Sequence, residues 1–261
     1  MLCRVVTPRE ALQKICALLK NIRMNTLGTL YLIPCRLADE TTHTTLPEAI
    51  STVTAKIKTF LVEDEKSARR FLRSLDAERD IQSLSLIPLN EHSSPDKISI
   101  VCAPLLQGED MGVISEAGCP GVADPGAEAA RYAHGIGATV RPLVGPNSML
   151  LGLMASGLTG QRWRFVGYPP RKEPERTTFL KELFATAHTL SETQIVMDAP
   201  YRTERLLADL LKAGQGDKLL CIAANLTGPD EFIRTKSVAE WRKETPKLNK
   251  SPAVFLVGGP R

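Results

Sequence analysis

The chain reads as an α/β protein in two halves. The first half predicts a mostly parallel sheet with helices on both faces, and the second a mixed sheet. Three observations predict this. Short apolar runs alternate with amphipathic helical patterns from Gly28 onward. Gly145-Pro146-Asn147 interrupts that alternation. Beyond it the later strands lack clear helices between them, which antiparallel neighbours do not need. We therefore expect domains at 25–144 and 145–261, preceded by an extension at 1–24.

The elements follow in order. Thr29–Ile33 is a short apolar strand stopping at Pro34. Thr45-Leu46-Pro47-Glu48 has the spacing of a capping box and predicts a helix start. Residues 58–63 read as a strand, after which Ala68, Phe71, Leu72 and Leu75 mark one helical face. Residues 83–89 and 112–115 are the third and fourth strands. Asp124-Pro125 predicts a helix with aspartate as N-cap and proline in the first turn. Residues 139–143 form the fifth strand.

In the second half a small-residue helix covers 148–156, and 163–168 opens the next strand. Phe179, Leu180, Leu183, Phe184 and Ala187 share a helical face, and Thr193–Met197 is a strand. Leu206, Leu207, Leu210 and Leu211 mark a helix closed by Gly214. Residues 218–224, 231–236 and 253–257 are strands, with a short helix near Trp241. In the extension, Thr7, Pro8 and Glu10 start a helical pattern through Ile22. It is either an added amphipathic helix or, with Met24 directly before the first strand, a stretch upstream of the true start.

Composition narrows the function. A net charge of +4 permits an anionic partner such as RNA without demanding one. The six cysteines form no C-x-x-C pair, which points to free thiols in a reducing cytosol, with no metal site and no disulfide framework. No apolar run approaches membrane-spanning length, and the first residues carry no signal-peptide pattern. Dinucleotide, P-loop, zincin and nucleophile-elbow motifs are absent, and the four histidines are scattered.

The segment Val113 to Gly126 is the most unusual. Three glycines and two prolines follow a buried strand and precede a helix. Open α/β sheets bind ligands at that edge, and glycine lets backbone approach a ligand closely. Pro142 to Met149 and Ile33 to Asp39 are similar loops after the fifth and first strands.

These residues carry a resemblance. Gly28 to Pro34, Val113 to Gly126 and Pro142 to Gly157 resemble the tetrapyrrole methylase family of S-adenosylmethionine (SAM)-dependent methyltransferases. Ser115-Glu-Ala-Gly-Cys-Pro120 with Asp124-Pro-Gly126 is similar to the Ser-Asp-Ala-Gly-Thr-Pro…Asp-Pro-Gly loop of the branch that methylates a ribose 2′-hydroxyl in small-subunit ribosomal RNA. A shorter subgroup of unassigned substrate is more similar still. Two segments depart from the RNA branch. Pro34-Cys-Arg-Leu-Ala38 stands where that branch has Thr-Pro-Ile-Gly-Asn-Leu. Glu65-Lys-Ser-Ala-Arg-Arg70 follows the shared Glu63-Asp64 pair.

The resemblance implies two α/β domains with SAM in the cleft between them. It implies SAM contacts from Pro34, Gly118, Cys119, Val122, Ser148 and Met149, and from Met197, Ala224, Pro252 and Ala253 in the second half. Methyl transfer from a sulfonium needs mainly alignment, so the absence of a catalytic dyad is consistent with it. If the acceptor is a hydroxyl, a base helps, and Glu63, Asp64 and Glu116 are the candidates at strand ends. Arg69, Arg70, Arg73, Arg162, Arg164, Arg171, Lys172, Arg176, Arg202 and Arg205 are candidates to face phosphate. Trp163, Phe165 and Tyr168 either stack on a base or belong to the core. We expect a cytoplasmic homodimer acting on ribosomal RNA. A tetrapyrrole or other small acceptor, and a SAM-binding module without transfer, are the alternatives.

Overall fold

The computed structural model describes residues 26–39, 41–89 and 95–258. The predicted N-terminal helix lies outside them. The first sheet contains β1 (Thr29–Ile33), β2 (Thr59–Val62), β3 (Ser85–Pro88), β4 (Met111–Ile114) and β5 (Thr139–Pro142). Its order is β3-β2-β4-β1-β5 and every pair is parallel. Every residue of β2 and β4 is buried, which suits their unbroken apolar runs. The two prolines that end strands, Pro88 and Pro142, fall on the edge strands β3 and β5, where a missing N–H costs no ladder bond.

Five helices serve this sheet: α1 (Thr42–Thr45), α2 (Glu48–Thr54), α3 (Glu65–Leu75), α4 (Pro95–Val101) and α5 (Gly126–Gly135). They cover both faces. Leu61, Met111 and Val113 pack with Ala129 and Ala133 of α5 on one side. Phe60, Val62 and Ile114 pack with Ile50 of α2 and Phe71 and Leu72 of α3 on the other. That division is the period-two alternation of strand side chains.

The second sheet contains β6 (Trp163–Phe165), β7 (Thr193–Met197), β8 (Leu219–Ala224), β9 (Phe232–Ser237) and β10 (Ala253–Gly258). Its order is β6-β7-β10-β8-β9, parallel between β6 and β7 and antiparallel elsewhere. The helices are α6 (Ser148–Ser156), α7 (Glu175–Thr189), α8 (Thr203–Ala213) and α9 (Val238–Lys243). On one face Phe255 and Val257 pack with Leu180 and Phe184 of α7, Leu206 and Leu210 of α8, and Trp241 of α9. On the other, Val254 and Leu256 pack with Met149 and Leu153 of α6. Leu37, from the loop after β1, joins this second cluster and ties the two halves together.

Two predicted caps differ, and the third, Gly214, closes its helix as expected. Thr45 does not cap α2, because it ends α1, where its N–H and hydroxyl both donate to the Thr41 carbonyl. It is therefore not in the extended conformation that an N-cap needs, and Pro47 takes that place. Asp124 does not cap α5, since Pro125 is the N-cap. Its carboxylate instead accepts from Gly121 N–H at 2.5 Å and Gly126 N–H at 2.7 Å, closing the loop on itself. Gly214 ends α8 in extended rather than left-handed backbone. Space requires it: a Cβ there would lie 2.6 Å from Phe184 Cζ.

The buried indole of Trp241 donates to the Leu220 carbonyl at 2.8 Å. Trp241→Phe is expected to cost about 1–2 kcal/mol, from the lost hydrogen bond and the smaller ring. A lower urea midpoint with an unchanged slope would show it. An unchanged midpoint would mean that the indole N–H contributes nothing.

Candidate functional site

The order β2-β4-β1-β5 sets the loops after these strands side by side at the carboxyl edge of the first sheet. Backbone hydrogen bonds join two of them. Cys35 N–H donates to the Gly118 carbonyl at 2.8 Å, and Gly118 N–H donates back to Cys35 at 3.2 Å. The third is joined by the Cys119 thiol, which donates to the Pro146 carbonyl at 3.4 Å. Burial pushes that thiol's pKa up and keeps it protonated as a donor. Gly118 and Gly121 both sit at positive φ, +74° and +80°. Asn147 then caps α6, accepting from Met149 N–H at 3.0 Å and Leu150 N–H at 3.1 Å.

Thus Pro34, Gly118 and Cys119 lie on loops that touch one another, Ser148 and Met149 open the helix that the third loop leads into, and Val122 is on the exposed outer arm of its loop. The second-half candidates form their own group. Met197 and Ala224 are the last residues of β7 and β8, and Ala253 is the first of β10. Register pairs Ala253 with Ala224 and Val254 with Met197. Pro252 accepts from Asn225 N–H at 3.0 Å beside them. Leu37 and Met149 pack in the same cluster as Met197, so the groups face each other across the join between the sheets.

The chain matches no model of a known protein family. It is 33% identical over 208 residues to ribosomal RNA small subunit methyltransferase I of Micromonospora olivasterospora, covering 79% of this chain and 62% of that protein. It is 29% identical over 237 residues to the protein of the same name from Streptococcus pyogenes serotype M6, covering 90% and 77%. Its fold is similar to the methyltransferase CobJ, with a TM-score of 0.57 at 18% identity over 89% of this chain and 93% of that one. It is also similar to uroporphyrin-III C-methyl transferase from Thermus thermophilus complexed with S-adenyl homocysteine, at 0.53 and 15% over 88% and 97%.

The chain is thus similar in sequence to ribosomal RNA small subunit methyltransferase I proteins, spanning 62% of the length of the first of them, and similar in fold to these two methyltransferases. Its two five-stranded sheets, one parallel and one mixed, make the α/β fold that it shares with these methyltransferases.

The residues on these loops would suit an adenosyl sulfonium. The loops present peptide groups and the apolar side chains of Val122, Met149, Met197 and Ala253. At Gly118 a Cβ would lie 3.4 Å from Leu37 Cδ2 and 3.7 Å from the Pro146 oxygen, so a side chain there would grow into the space among the three loops. Pro34, Gly118, Cys119 and Met149 would hold the cofactor from the first side, and Met197, Ala224 and Ala253 from the second.

The three candidate bases separate. Asp64 is the N-cap of α3; its carboxylate accepts from Ser67 N–H at 2.7 Å, which holds its pKa below the usual carboxylate range. It is therefore engaged, and a weak base. Glu63 accepts from Glu116 N–H at 3.3 Å, joining the ends of β2 and β4. Glu116 itself is exposed, two residues before Gly118.

The basic residues separate too. Arg176 was a candidate to face phosphate, and the structure contradicts this. Its side chain is 1% exposed and bonded to Asp209 at 2.6 Å and Asp198 at 3.4 Å. Its neighbours in sequence hid nothing of its charge, but the α7–α8 packing places it inside. Arg202 and Arg205 are paired with Asp198 and Asp209, Arg69 with Glu65, and Arg164 with Glu192. Arg73, Arg162, Arg171 and Lys172 are exposed. Phe165 packs in the core, whereas Trp163 and Tyr168 are exposed. Burial, then the carboxylates of Glu63 and Asp198, push the Tyr168 phenol's pKa up.

A cavity of about 330 Å³ adjoins the loops, walled by Arg36, Ser67, Arg70, Phe71, Ser115 and Glu116. Sequence reasoning did not single out Arg36. The signal was present: both segments that depart from the RNA branch, 34–38 and 65–70, line this one cavity.

Proposed function

We propose that this methyltransferase acts on a ribose 2′-hydroxyl of ribosomal RNA, with SAM held between domains 25–144 and 145–261. The observation that carries the reading is the position of Glu116, an exposed carboxylate two residues from the Gly118 loop at the mouth of a cavity that also presents Arg70. A carboxylate can accept the hydroxyl proton, and a guanidinium suits the phosphate beside it. The relatives' names point to the same substrate class. When bound, SAM would supply an electrophilic methyl group for the ribose oxygen. The protein's own part is to align the acceptor, exclude water and hold the proton on Glu116.

The same reading makes the chain a cytoplasmic homodimer; among the described residues no helix is long and apolar enough to cross a membrane. Transfer from methyl-labelled SAM to purified ribosomal RNA tests the substrate. Label in a tetrapyrrole or another small-molecule fraction instead would overturn it, and binding of SAM with no transfer to any fraction would favour a non-catalytic module. RNA affinity should also fall with salt. Three phosphate contacts would give a log–log slope of about −2 on a single strand. A flat salt dependence would count against the phosphate contacts.

A further inference from the structure

The cavity has an uneven chemistry. Its back is apolar, formed by the buried Cys35 and Phe71. On one wall stands Arg36, whose guanidinium donates to Ser74 Oγ at 3.1 Å, Thr42 Oγ1 at 3.4 Å and the exposed Asp39 carboxylate at 3.3 Å. Those bonds fix its direction. On the next wall Arg70 projects from α3, and among the described residues it has no ion-pair partner. Ser67 lies one turn before it on the same helix. The remaining wall is Ser115-Glu116-Ala117, which runs directly into Gly118. Cations therefore lie on the α1–α3 side and a carboxylate on the side of the cofactor loop.

A ligand matched to these walls carries an anion at one end and a hydroxyl at the other. The volume is near the lower end of ordinary ligand pockets, about 300 Å³. It suits one small unit rather than a macrocycle. A ring with carboxylates around its whole rim would also meet Glu116, on the opposite side, with like charge. A planar guanidinium with no protein acceptor suits a phosphate, which it can bind through two N–H groups.

We propose that this cavity takes one nucleotide unit of an RNA strand, its phosphate between Arg36 and Arg70 and its ribose hydroxyl toward Glu116. The proposal rests on the RNA reading above. Arg70 is then a binding residue for the acceptor, and Arg36 completes the phosphate site while bracing the loop after β1.

The test uses the full chain and Arg70→Gln, with Arg70→Lys as the conservative variant. Calorimetry with S-adenosylhomocysteine, expected unchanged, confirms that the variants are folded. Arg70→Gln should raise KM for ribosomal RNA about tenfold, the effect of one charged contact worth about 1.4 kcal/mol. It should lower the salt slope by about 0.7, with kcat nearly kept and Lys restoring part of the loss. Unchanged KM and slope in Arg70→Gln would overturn the pocket while leaving the RNA reading standing. Should the parent chain put no label into ribosomal RNA, the RNA reading fails and the pocket is judged by uridine 5′-monophosphate. Stabilisation of the parent chain that is lost in Arg70→Gln sustains a phosphate-nucleotide pocket, and no stabilisation of the parent overturns it.

Discussion

Replacing Gly118 by valine is expected to abolish measurable binding of S-adenosylhomocysteine. The residue sits at φ +74°, a region that strains a β-branched side chain. Its N–H and carbonyl are both bonded to Cys35, so the strain cannot relax without breaking the bridge between two loops. The added methyl groups would extend from a Cβ already 3.4 Å from Leu37, into the space assigned to the cofactor. A loss of at least a hundredfold corresponds to about 2.7 kcal/mol of binding energy. Stability should fall by a further 1–3 kcal/mol or so from the backbone strain. Gly135→Ala is the control, since a Cβ there meets nothing within 4 Å. Titration of both folded variants settles the matter. Unaltered affinity in Gly118→Val would show that the cofactor does not lie against this loop.

Arg176→Ala is expected to cost about 3 kcal/mol of stability. Asp198 is 2% exposed and Arg176 1% exposed, so truncation leaves carboxylate charge in a nearly dry site. Removing one member of such a pair costs about 3–5 kcal/mol. The lower end applies because Arg202 still reaches Asp198 at 2.7 Å and Arg205 still lies 3.7 Å from Asp209. For a chain of this size the melting temperature should drop by roughly 6–12 °C. Arg176→Met is the informative comparison. One guanidinium nitrogen of Arg176, NH2, is buried with no hydrogen-bond partner, a cost that methionine removes while filling the space. Methionine should therefore lose less than alanine. Equal losses from both would show that charge alone matters at this site, and a negligible loss in alanine would show that Arg202 and Arg205 suffice.

Much of the fold was legible because periodicity records burial. Thr29–Ile33, Ser148–Ser156 and Thr193–Met197 have the bounds that their apolar patterns predicted. The parallel first sheet and mixed second sheet followed from where helices intervene between strands. Caps were read less well. Thr45 and Asp124 each have the residue type of a cap, but a side chain's hydrogen-bond partner depends on the neighbouring backbone. Thr45 was already held by Thr41, and Asp124 by Gly121 and Gly126.

By itself the sequence determined the strand and helix layout and the Gly/Pro loops that end strands, because these depend on local composition and chain order. Only the tertiary structure decided which charges are available. Arg70 and Arg176 are both helical arginines in basic surroundings, and nothing in the local text separates them. Arg70 projects into a cavity with no ion-pair partner among the described residues, whereas Arg176 is buried between Asp198 and Asp209. Long-range packing makes that choice, since the partners that neutralise or free a charge come from elements distant in the chain.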